Sequence, residues 1–334
     1  MSSVPLLGHA SLDDVLAWRP SGPVRVREFL ADVEALAAQF PAGRNSLNVC
    51  QDRYRFTVGL AAGLLSGRTS LQPAAQSAET LRQVLAAFPD VFCLCDGDFD
   101  SCDLPRLDFP ELSAVDREKV REIPEIPADR VAACLFTSGS TGLPMPHPKT
   151  WGSLVRSARA EAERLGMSAR PYAIVGTVPA QHSYGFESTV LLALHGKSPF
   201  WSGKPFYPQD IVAALAAVPR PRMLVTTPFH LAALLAAGLD LPPVDLLLSA
   251  TAPLSARLAA QAERRFAAPL HEIYGCTEAG QIASRRTTAD QAWELLADVR
   301  LEQDGERTVA SGGHVEGRVA LSDSIEILGD GRFL

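Results

Sequence analysis

Short apolar runs alternate with longer amphipathic stretches from about residue 46 to residue 274. Several of the runs are continuously apolar, as in strands that are buried on both faces of a sheet. They predict strands at Ser46–Cys50, Val91–Cys95, Arg130–Phe136, Tyr172–Val178, Arg222–Thr227, Val244–Leu248 and Leu270–Tyr274. Because strands that alternate with helices form parallel sheets covered by helices, the predicted fold class is α/β.

The amphipathic stretches between these strands predict helices. Val24–Phe40 carries apolar residues on one face at helical spacing, and Ser255–Phe266 begins with a serine, a favourable N-terminal cap. After Arg286 the pattern changes, because short runs are separated by turns such as Asp304-Gly305 and Gly312-Gly313. Such spacing is typical of β-hairpins. We therefore expect residues 1–285 to form the α/β core and residues 286–334 to form a small β subdomain.

Composition and charge exclude several classes of protein. The 334 residues are 47% hydrophobic and 21% charged, which is typical of a folded soluble chain. The 38 acidic side chains outnumber the 31 basic ones, and no run of Lys or Arg exceeds a pair, so nucleic-acid binding is disfavoured. No apolar stretch reaches the roughly 18 residues of a membrane span, and the cysteines lack the paired spacing of secreted proteins. We expect a cytoplasmic protein with no membrane partner.

A loop rich in hydroxyls and glycines follows the predicted strand Arg130–Phe136, with the sequence Thr137-Ser138-Gly139-Ser140-Thr141-Gly142. Glycines allow a close approach of the backbone, and successive N–H groups and hydroxyls can donate to phosphate oxygens. The Gly-Lys-Ser/Thr of a Walker loop is missing at the required spacing, which disfavours a P-loop kinase or GTPase. Considered alone, the loop is equally compatible with a flexible turn.

A second polar segment follows the predicted strand Leu270–Tyr274, with the sequence Tyr274-Gly275-Cys276-Thr277-Glu278. The ends of buried strands are where α/β folds present residues that contact ligands. Tyr274 can stack on a base, Thr277 can bond a phosphate, and Glu278 can give an oxygen ligand to Mg²⁺. A turn with an exposed glutamate is the simpler alternative for this segment alone.

Together, and about 130 residues apart, the two segments resemble the signature of the adenylate-forming (AMP-binding) enzymes, which include acyl-CoA synthetases, nonribosomal adenylation domains and luciferases. Pro179–Gly185 resembles the family's segment beside the acyl pocket, and Ser249–Leu254 resembles its loop along the adenine. The resemblance extends from about Phe56 to the end of the chain. It implies the family's N-terminal core of helix-covered sheets with a small β subdomain near the C-terminus.

The resemblance also implies a reaction in which MgATP and a carboxylic acid give an acyl-adenylate and pyrophosphate, before the acyl group passes to a thiol of acyl carrier protein or CoA. The residues implied to bind ATP are Thr137, Ser138, Gly139, Ser140, Thr141, Gly142, Ala250, Thr251, Ala252, Tyr274, Gly275 and Asp323. Thr277 is implied to contact the α-phosphate and Glu278 to hold Mg²⁺. The residues implied to border the acid are His182, Ser183, Tyr184, Phe186, Ser249, Cys276 and Gly280.

Two charged candidates, Lys149 and Asp323, lie in sequence contexts that depart from the family pattern. Met145 stands where the family usually has a lysine, so we expect Lys149 to replace that lysine at the phosphates as a third catalytic candidate. An ordinary solvated lysine is the alternative. Asp323 is the candidate for binding ribose, although the usual Thr-Gly does not precede it. An aspartate in a hairpin turn is the alternative here.

The chain stops at Leu334, where the family continues through a hinge into a mobile domain that carries a catalytic lysine. We expect a truncated core without this C-terminal domain, which binds ATP and acyl-adenylate but has strongly reduced adenylation activity. A non-catalytic, nucleotide-binding regulatory protein that retains the fold is the alternative.

The identity of the acid is the least constrained prediction. Pro146–Trp151 resembles a segment of short stand-alone ligases that load aryl or 3-hydroxyacyl acids onto acyl carrier proteins in bacterial pigment and aryl-polyene pathways. The candidate pocket residues combine aromatic walls with hydroxyls, which suits a small hydroxylated ring. We therefore expect an acid of the hydroxybenzoate type, with a medium- or long-chain acyl ligase as the alternative.

Two further readings of the sequence find little support. A metal-binding module could use Cys93, Cys95 and Cys102 with Asp96, Asp98 and Asp100. Cys-x-Cys is poor zinc spacing, however, and the aspartates lack the central Gly and terminal Glu of a calcium loop. A serine hydrolase is disfavoured because the chain contains no Gly-x-Ser-x-Gly segment.

Overall fold

The computed structural model describes residues 2–99, 103–112, 117–138 and 143–334. Within these ranges the strands are β1 (Ser3–Pro5), β2 (Val15–Arg19), β3 (Gly22–Arg25), β4 (Asn45–Asn48), β5 (Thr69–Gln72), β6 (Val91–Cys95), β7 (Arg106–Asp108), β8 (Glu125–Pro127), β9 (Val131–Ser138), β10 (Pro144–Thr150), β11 (Ala173–Gly176), β12 (Phe200–Trp201), β13 (Arg222–Thr226), β14 (Leu246–Ser249), β15 (Leu270–Cys276), β16 (Gly280–Arg285), β17 (Trp293–Leu295), β18 (Val299–Asp304), β19 (Arg307–Gly312), β20 (Arg318–Ala320), β21 (Ile327–Gly329) and β22 (Arg332–Phe333).

The helices in the same ranges are α1 (Val26–Ala37), α2 (Arg53–Leu65), α3 (Ala78–Ala87), α4 (Trp151–Arg164), α5 (Ser183–Gly185), α6 (Leu192–His195), α7 (Pro208–Ala217), α8 (Pro228–Ala236) and α9 (Ala256–Phe266). A π-helical segment, Phe186–Leu191, joins α5 to α6, and Arg117–Lys119 forms a 3₁₀ turn.

Two large sheets organise the described part of the chain. One has the order β10-β9-β5-β4-β6-β7 and is parallel except for the β9–β10 pair. The other has the order β21-β22-β17-β16-β15-β14-β13-β11-β12-β2-β3, and its strands are parallel from β15 to β2. The predicted α/β class is therefore confirmed, with antiparallel strands added at the edges.

The predicted strands are found with ends that differ by a few residues. The predicted helix Val24–Phe40 is shorter, because Gly22–Arg25 pairs with β2 as a strand before α1 begins. Ser255 caps α9 as predicted, since its hydroxyl accepts a hydrogen bond from the backbone N–H of Leu258 at 3.2 Å.

The residues after position 285 divide between two sheets. β18, β19 and β20 form a separate antiparallel sheet, whereas β17, β21 and β22 extend the large sheet beyond β16. The expected hairpins are present. The boundary that we predicted at residue 285 falls between β16 and β17, which pair with each other.

β10 is an edge strand even though three of its seven residues are prolines. The prolines occupy alternate positions, and in an antiparallel edge strand alternate residues direct their N–H groups away from the neighbouring strand. The prolines therefore remove no N–H group that would donate a hydrogen bond to β9. The same alternation places His147 and Lys149 on one face of β10.

A buried arginine fixes the backbone below the candidate site. Arg53, only 2% exposed, donates to the Thr189 hydroxyl at 2.8 Å and to the carbonyl oxygens of Gly176 and Val178 at 2.9 and 3.0 Å. Burial lowers its pKa to about 10, so the guanidinium remains charged at neutral pH. Because a buried charge is costly unless it is bonded, this network holds α2 against the chain that leads into α5.

Candidate functional site

The second polar segment ends β15 and turns directly into β16. Tyr274, Gly275 and Cys276 close the strand, and Thr277 and Glu278 lie in the turn before Gly280. A Cβ atom at Gly275 would lie 2.2 Å from the carbonyl oxygen of Gly280, so only glycine allows the two strands to approach this closely. This turn places Thr277 and Glu278 at the end of the parallel part of the sheet.

The first polar segment begins inside β9, because Thr137 and Ser138 are the last two residues of that strand. Gly139, Ser140, Thr141 and Gly142, together with the side chain of Ser138, lie outside the described residues. The Thr137 hydroxyl and the Nε2 atom of His147 are 2.9 Å apart, and the same Nε2 atom lies 3.6 Å from Oε1 of Glu278. One imidazole therefore connects the two segments, which the sequence predicted to come together. Burial lowers the pKa of His147, so the ring is mostly neutral at pH 7.

Lys149 lies on the same face of β10 as His147. It is only 6% exposed, and its ammonium group donates to the carbonyl oxygen of Glu278. This burial excludes the ordinary solvated lysine that was the alternative. The contact fixes the backbone of the turn at Glu278, whereas a direct role of Lys149 at the phosphates stays a prediction.

The candidates for adenine and ribose are in direct contact. The Tyr274 hydroxyl donates to Oδ2 of Asp323 at 2.6 Å, and the Tyr274 ring packs against Trp293 and Phe333 with ring centroids 5.5 Å away. Burial and the Asp323 charge raise the pKa of Tyr274, so the hydroxyl keeps its proton at neutral pH. The aspartate is exposed beside this aromatic cluster, where a ribose hydroxyl could reach it.

The predicted adenine loop follows β14. Ala250 and Thr251 line the cavity described below, and Ala252 is exposed. Thr251 has a φ of 79°, in the left-handed region that is unfavourable for a β-branched residue. Backbone strain of this kind often occurs at functional sites.

Two adjoining cavities lie between β15 and α5. The first has a volume of about 210 Å³, and we call it the acid cavity because several of the residues that were predicted to border the acid line it. Its lining residues are Ser183, Tyr184, Glu187, Ala250, Thr251, Ile273, Gly275, Cys276, Thr277, Gly280 and Gln281. The second, of about 200 Å³, is lined by Gln72, Ala74, Leu135, Phe136, Gln181, His182, Ser183, Tyr184, Thr251 and Thr277. Thr277 lines both cavities, as do Ser183, Tyr184 and Thr251, so the two cavities adjoin at these four residues.

The structure brings most of the predicted acid-binding residues to these cavities, with two exceptions. Phe186 is fully buried and packs edge-on against Phe56 at 6.4 Å, because the π-helical segment directs it into the core. Ser249 is buried beneath the adenine loop and lines neither cavity. His182 lines the second cavity, and burial lowers its pKa.

Sequence reasoning missed three residues of the site: His147, Glu187 and Gln281. Glu187 and Gln281 line the acid cavity, where both are buried. A signal was present for Glu187, since Glu187-Ser188-Thr189 interrupts an otherwise apolar stretch of predicted helix. Buried polar residues in such a stretch need partners, and a ligand can be one of them.

A separate groove of about 580 Å³ lies away from these residues. It is lined by residues that include His9, Glu125, Arg159, Glu163 and His195, and it shares no lining residue with the two cavities. Both imidazoles are buried, which lowers the pKa of His9 to about 4 and that of His195 to about 3. These rings are neutral at pH 7, so neither imidazole attracts an anion into the groove.

The alternative metal module gains no support from the described residues. Among them, no cluster of three or more His, Cys, Asp or Glu side chains is arranged to hold a metal ion. Cys102 and Asp100 lie outside the described ranges. In the described residues we also find no helix with the length and apolar character required to cross a membrane.

Comparison with known proteins agrees with this geometry. Residues 51–319 match the family model for the AMP-binding enzymes. A 4-coumarate–CoA ligase of Rhodobacter capsulatus is 34% identical over 164 residues, which cover 48% of this chain and 41% of that protein. The 4-coumarate–CoA ligase 1 of Solanum tuberosum is 29% identical over 186 residues, which cover 52% of this chain and 33% of that protein. The chain thus matches less than half the length of these relatives.

Solved structures share the fold at low sequence identity. The o-succinylbenzoate CoA synthetase of Bacillus subtilis, in complex with its acyl-adenylate intermediate, has a TM-score of 0.83 and 18% identity, with 100% of this chain and 78% of that chain covered. The same enzyme with ATP and magnesium ion also gives a TM-score of 0.83. VinN in complex with L-aspartate gives 0.81 at 17% identity, with 97% and 94% covered. With the family model matching from residue 51 to residue 319, the chain belongs to the AMP-binding enzyme family.

Proposed function

We propose that this protein activates a small carboxylic acid with ATP, giving an acyl-adenylate and pyrophosphate as the first half of an acid–thiol ligation. The observation that carries the proposal is the position of Thr277, which lines both the acid cavity and the adjoining cavity. A hydroxyl at this junction can donate to the α-phosphate at the point where the carboxylate arrives.

In the proposed reaction a carboxylate oxygen of the acid attacks the α-phosphorus of ATP. The new oxygen–phosphorus bond forms as the bond from the α-phosphorus to the bridging oxygen breaks, and pyrophosphate leaves with that electron pair. Because two anions must approach each other, the protein contributes mainly positioning and electrostatic stabilisation. Thr277 donates to the α-phosphate, and the family resemblance implies that the segment from Thr137 onward contacts the β- and γ-phosphates.

Glu278 fits a magnesium ion. Its carboxylate offers the hard oxygen ligands that Mg²⁺ requires, and its side chain is 37% exposed at the turn between β15 and β16. A single carboxylate suits an ion that phosphate oxygens and water hold for the most part. When bound, the ion neutralises phosphate charge. Lys149 keeps the backbone of Glu278 in place, and His147 lies 3.6 Å from the Glu278 carboxylate.

The proposed acid is a small aromatic acid of the hydroxybenzoate type. A cavity of about 150 Å³ accommodates benzene in other proteins, so an acid cavity of about 210 Å³ suits one ring with small substituents. A long-chain acyl group is too large for this volume, which disfavours the long-chain alternative. The names of the 4-coumarate and o-succinylbenzoate ligases, similar to this chain, also refer to aromatic acids.

The proposed acceptor is the thiol of acyl carrier protein or of CoA. The names of the similar ligases refer to CoA. The resemblance of Pro146–Trp151 to short stand-alone ligases favours a carrier protein. Transfer of a radiolabelled aryl group from the purified adenylate to each thiol would distinguish the two acceptors.

Acid-dependent release of pyrophosphate tests the proposed reaction. We expect release with hydroxybenzoates and none with long-chain fatty acids, together with ATP binding in isothermal titration calorimetry. Thr277→Ala should lower the rate by about 100-fold, as loss of one donor to a developing oxyanion does. Thr288→Ala, which removes an exposed threonine after β16, is the matched control.

Three results would change the assignment. Binding of ATP without acid-dependent release, both by this chain and by a version extended through the family's C-terminal domain, would favour the non-catalytic, regulatory alternative. A preference for long-chain acids would contradict the aromatic substrate. Binding of neither ATP nor an acyl-adenylate analogue would contradict the proposed function as a whole.

A further inference from the structure

The wall of the acid cavity contains a buried carboxyl group. Glu187 lies in the π-helical segment between α5 and α6 and is only 5% exposed, yet it is one of the residues that line this cavity. Burying a carboxyl group is costly unless hydrogen bonds or a nearby charge compensate for the lost water. The partners of Glu187 therefore indicate what the cavity is built to bind.

The partners of Glu187 satisfy only one of its two oxygens. Its Oε2 atom accepts from the Ser157 hydroxyl at 3.3 Å and from the backbone N–H of Gln281 at 3.2 Å. In the described part of the chain no hydrogen bond to Oε1 is found. The carboxyl group therefore keeps an acceptor for a group that enters the cavity.

A second buried carboxyl group supports this wall. Glu161 of α4, 1% exposed, lies 2.7 Å from the Ser188 hydroxyl. The Gln281 amide satisfies its neighbours when its nitrogen faces Glu161 at 3.1 Å and its oxygen faces Ser188 at 2.6 Å. Burial raises the pKa of Glu161 to about 8, so it is mostly neutral at pH 7. A neutral Glu161 can donate to the Ser188 hydroxyl, which donates to the Gln281 oxygen, and the Gln281 nitrogen donates back to Glu161. Each donor and acceptor of these three side chains that takes part then has a partner.

The charge around Glu187 distinguishes between neutral and cationic ligands. Burial raises the pKa of Glu187, and the Lys149 ammonium acts against this shift. The positive charge of Lys149 thus already acts on this carboxyl group. An ammonium group on the ligand would be repelled by Lys149, whereas a neutral hydroxyl would donate to the free oxygen at no such cost.

We propose that Glu187 determines acid specificity by accepting a hydrogen bond from a hydroxyl group on the ring of the bound acid. This inference rests on the proposed function, because it requires that the acid occupies this cavity. A site that bonds a substrate hydroxyl rejects the analogue without it, since the buried acceptor is then left unpaired. The protein therefore selects hydroxylated benzoates over benzoate itself.

Non-hydrolysable adenylate analogues test this selectivity apart from turnover. The probes are 5′-O-sulfamoyladenosines that carry benzoyl, 3-hydroxybenzoyl, 4-hydroxybenzoyl or 4-(aminomethyl)benzoyl groups, with affinities measured by isothermal titration calorimetry. We expect at least one hydroxybenzoyl probe to bind the unaltered protein about 10-fold or more tightly than the benzoyl probe. Glu187→Leu should reduce this ratio to near one and retain binding of the benzoyl probe.

Two further variants make the result decisive. Glu187→Gln keeps the size of the side chain and should lower the ratio several-fold, and it decides the outcome if Glu187→Leu does not fold. Glu163→Leu removes an exposed carboxylate from α4 and should keep the ratio of the unaltered protein.

Failure of the inference is distinct from failure of the proposed function. Equal binding of the hydroxybenzoyl and benzoyl probes, an unchanged ratio in Glu187→Gln, or tightest binding of the aminomethyl probe would overturn the role of Glu187. In each of these cases the adenylate still binds. If the unaltered protein bound none of the probes, the proposed function would fail and the role of Glu187 with it.

Discussion

The Nε2 atom of His147 lies 3.6 Å from Oε1 of Glu278, and the Thr137 hydroxyl lies 2.9 Å from the same nitrogen. A side chain from an edge strand of one sheet thus supports a turn of the other sheet. The proposed phosphate and magnesium positions therefore depend on how these two sheets are fixed to each other.

We expect His147→Ala to lower ATP affinity and the rate of pyrophosphate release by about 10-fold, because Glu278 and Thr137 lose their shared partner. His147→Gln should recover part of the loss, since an amide can bond both groups. His271→Ala is the control, because the charged neighbours of that imidazole are residues such as Arg286 and Glu263 rather than those of the candidate site. Unchanged affinity in His147→Ala would show that the contact has no role in binding.

The contribution of His147 was hidden by the sequence of β10. Pro144, Pro146 and Pro148 hide a strand here, since proline is depleted in strands. The tertiary structure overrides this preference, because an edge strand needs only every second N–H group. The apolar strands that lead to Thr137 and Tyr274 were predictable, because their burial on both faces leaves a continuous apolar run.

The residues that line the acid cavity were predictable only in part, because the local helix geometry could not be predicted from the sequence. The family resemblance implied that Tyr184 and Phe186 both border the acid. The π-helical segment that begins at Phe186 changes which side chains face the cavity, so Glu187 lines it and Phe186 packs in the core. Such a change of helical phase cannot be read from residue spacing.

The pKa of Glu161 predicts how stability depends on pH. Its folded pKa of about 8 lies above the ordinary value of 4.5, so the folded state binds more protons between these values and stability falls as pH rises through that interval. Across pH 5 to 8 the Glu161 contribution should fall by roughly 2–4 kcal/mol.

Glu161→Gln should flatten this fall, because the amide does not titrate and can still bond Ser188. Urea unfolding at pH 5, 6.5 and 8 measures the effect, with Glu163→Gln, an exposed change on the same helix, as the control. An equally steep fall in Glu161→Gln would assign the pH dependence to other groups.

Thr251 is strained in a way that predicts opposite effects on stability and on binding. Glycine adopts a φ of 79° without steric cost, so Thr251→Gly should raise the free energy of unfolding by up to about 1 kcal/mol. Nucleotide affinity should fall, since a more mobile adenine loop must be ordered on binding. Asp298→Gly makes the same change at another exposed residue with positive φ and should leave nucleotide affinity unaltered. Unchanged affinity in Thr251→Gly would separate this loop from the nucleotide.

The hydrogen bond from Tyr274 to Asp323 leads to a prediction about the contact between Asp323 and the ribose hydroxyls of the nucleotide. If Asp323 accepts from the ribose hydroxyls, Asp323→Ala should weaken ATP binding by about 10-fold or more, the usual cost of losing a hydrogen bond to a charged group. The unaltered protein should prefer ATP to 2′,3′-dideoxy-ATP, and this preference should disappear in Asp323→Ala.

Tyr274→Phe keeps the ring beside Trp293 and Phe333 but removes the hydroxyl that orients Asp323. We expect a loss of a few-fold, and the double variant should bind ATP no more weakly than Asp323→Ala, because the tyrosine hydroxyl acts through the aspartate. Asp330→Ala, an exposed aspartate in the turn between β21 and β22, is the matched control. An ATP preference that survives in Asp323→Ala would place the ribose away from this pair, and additive losses in the double variant would give Tyr274 a contact of its own with the nucleotide.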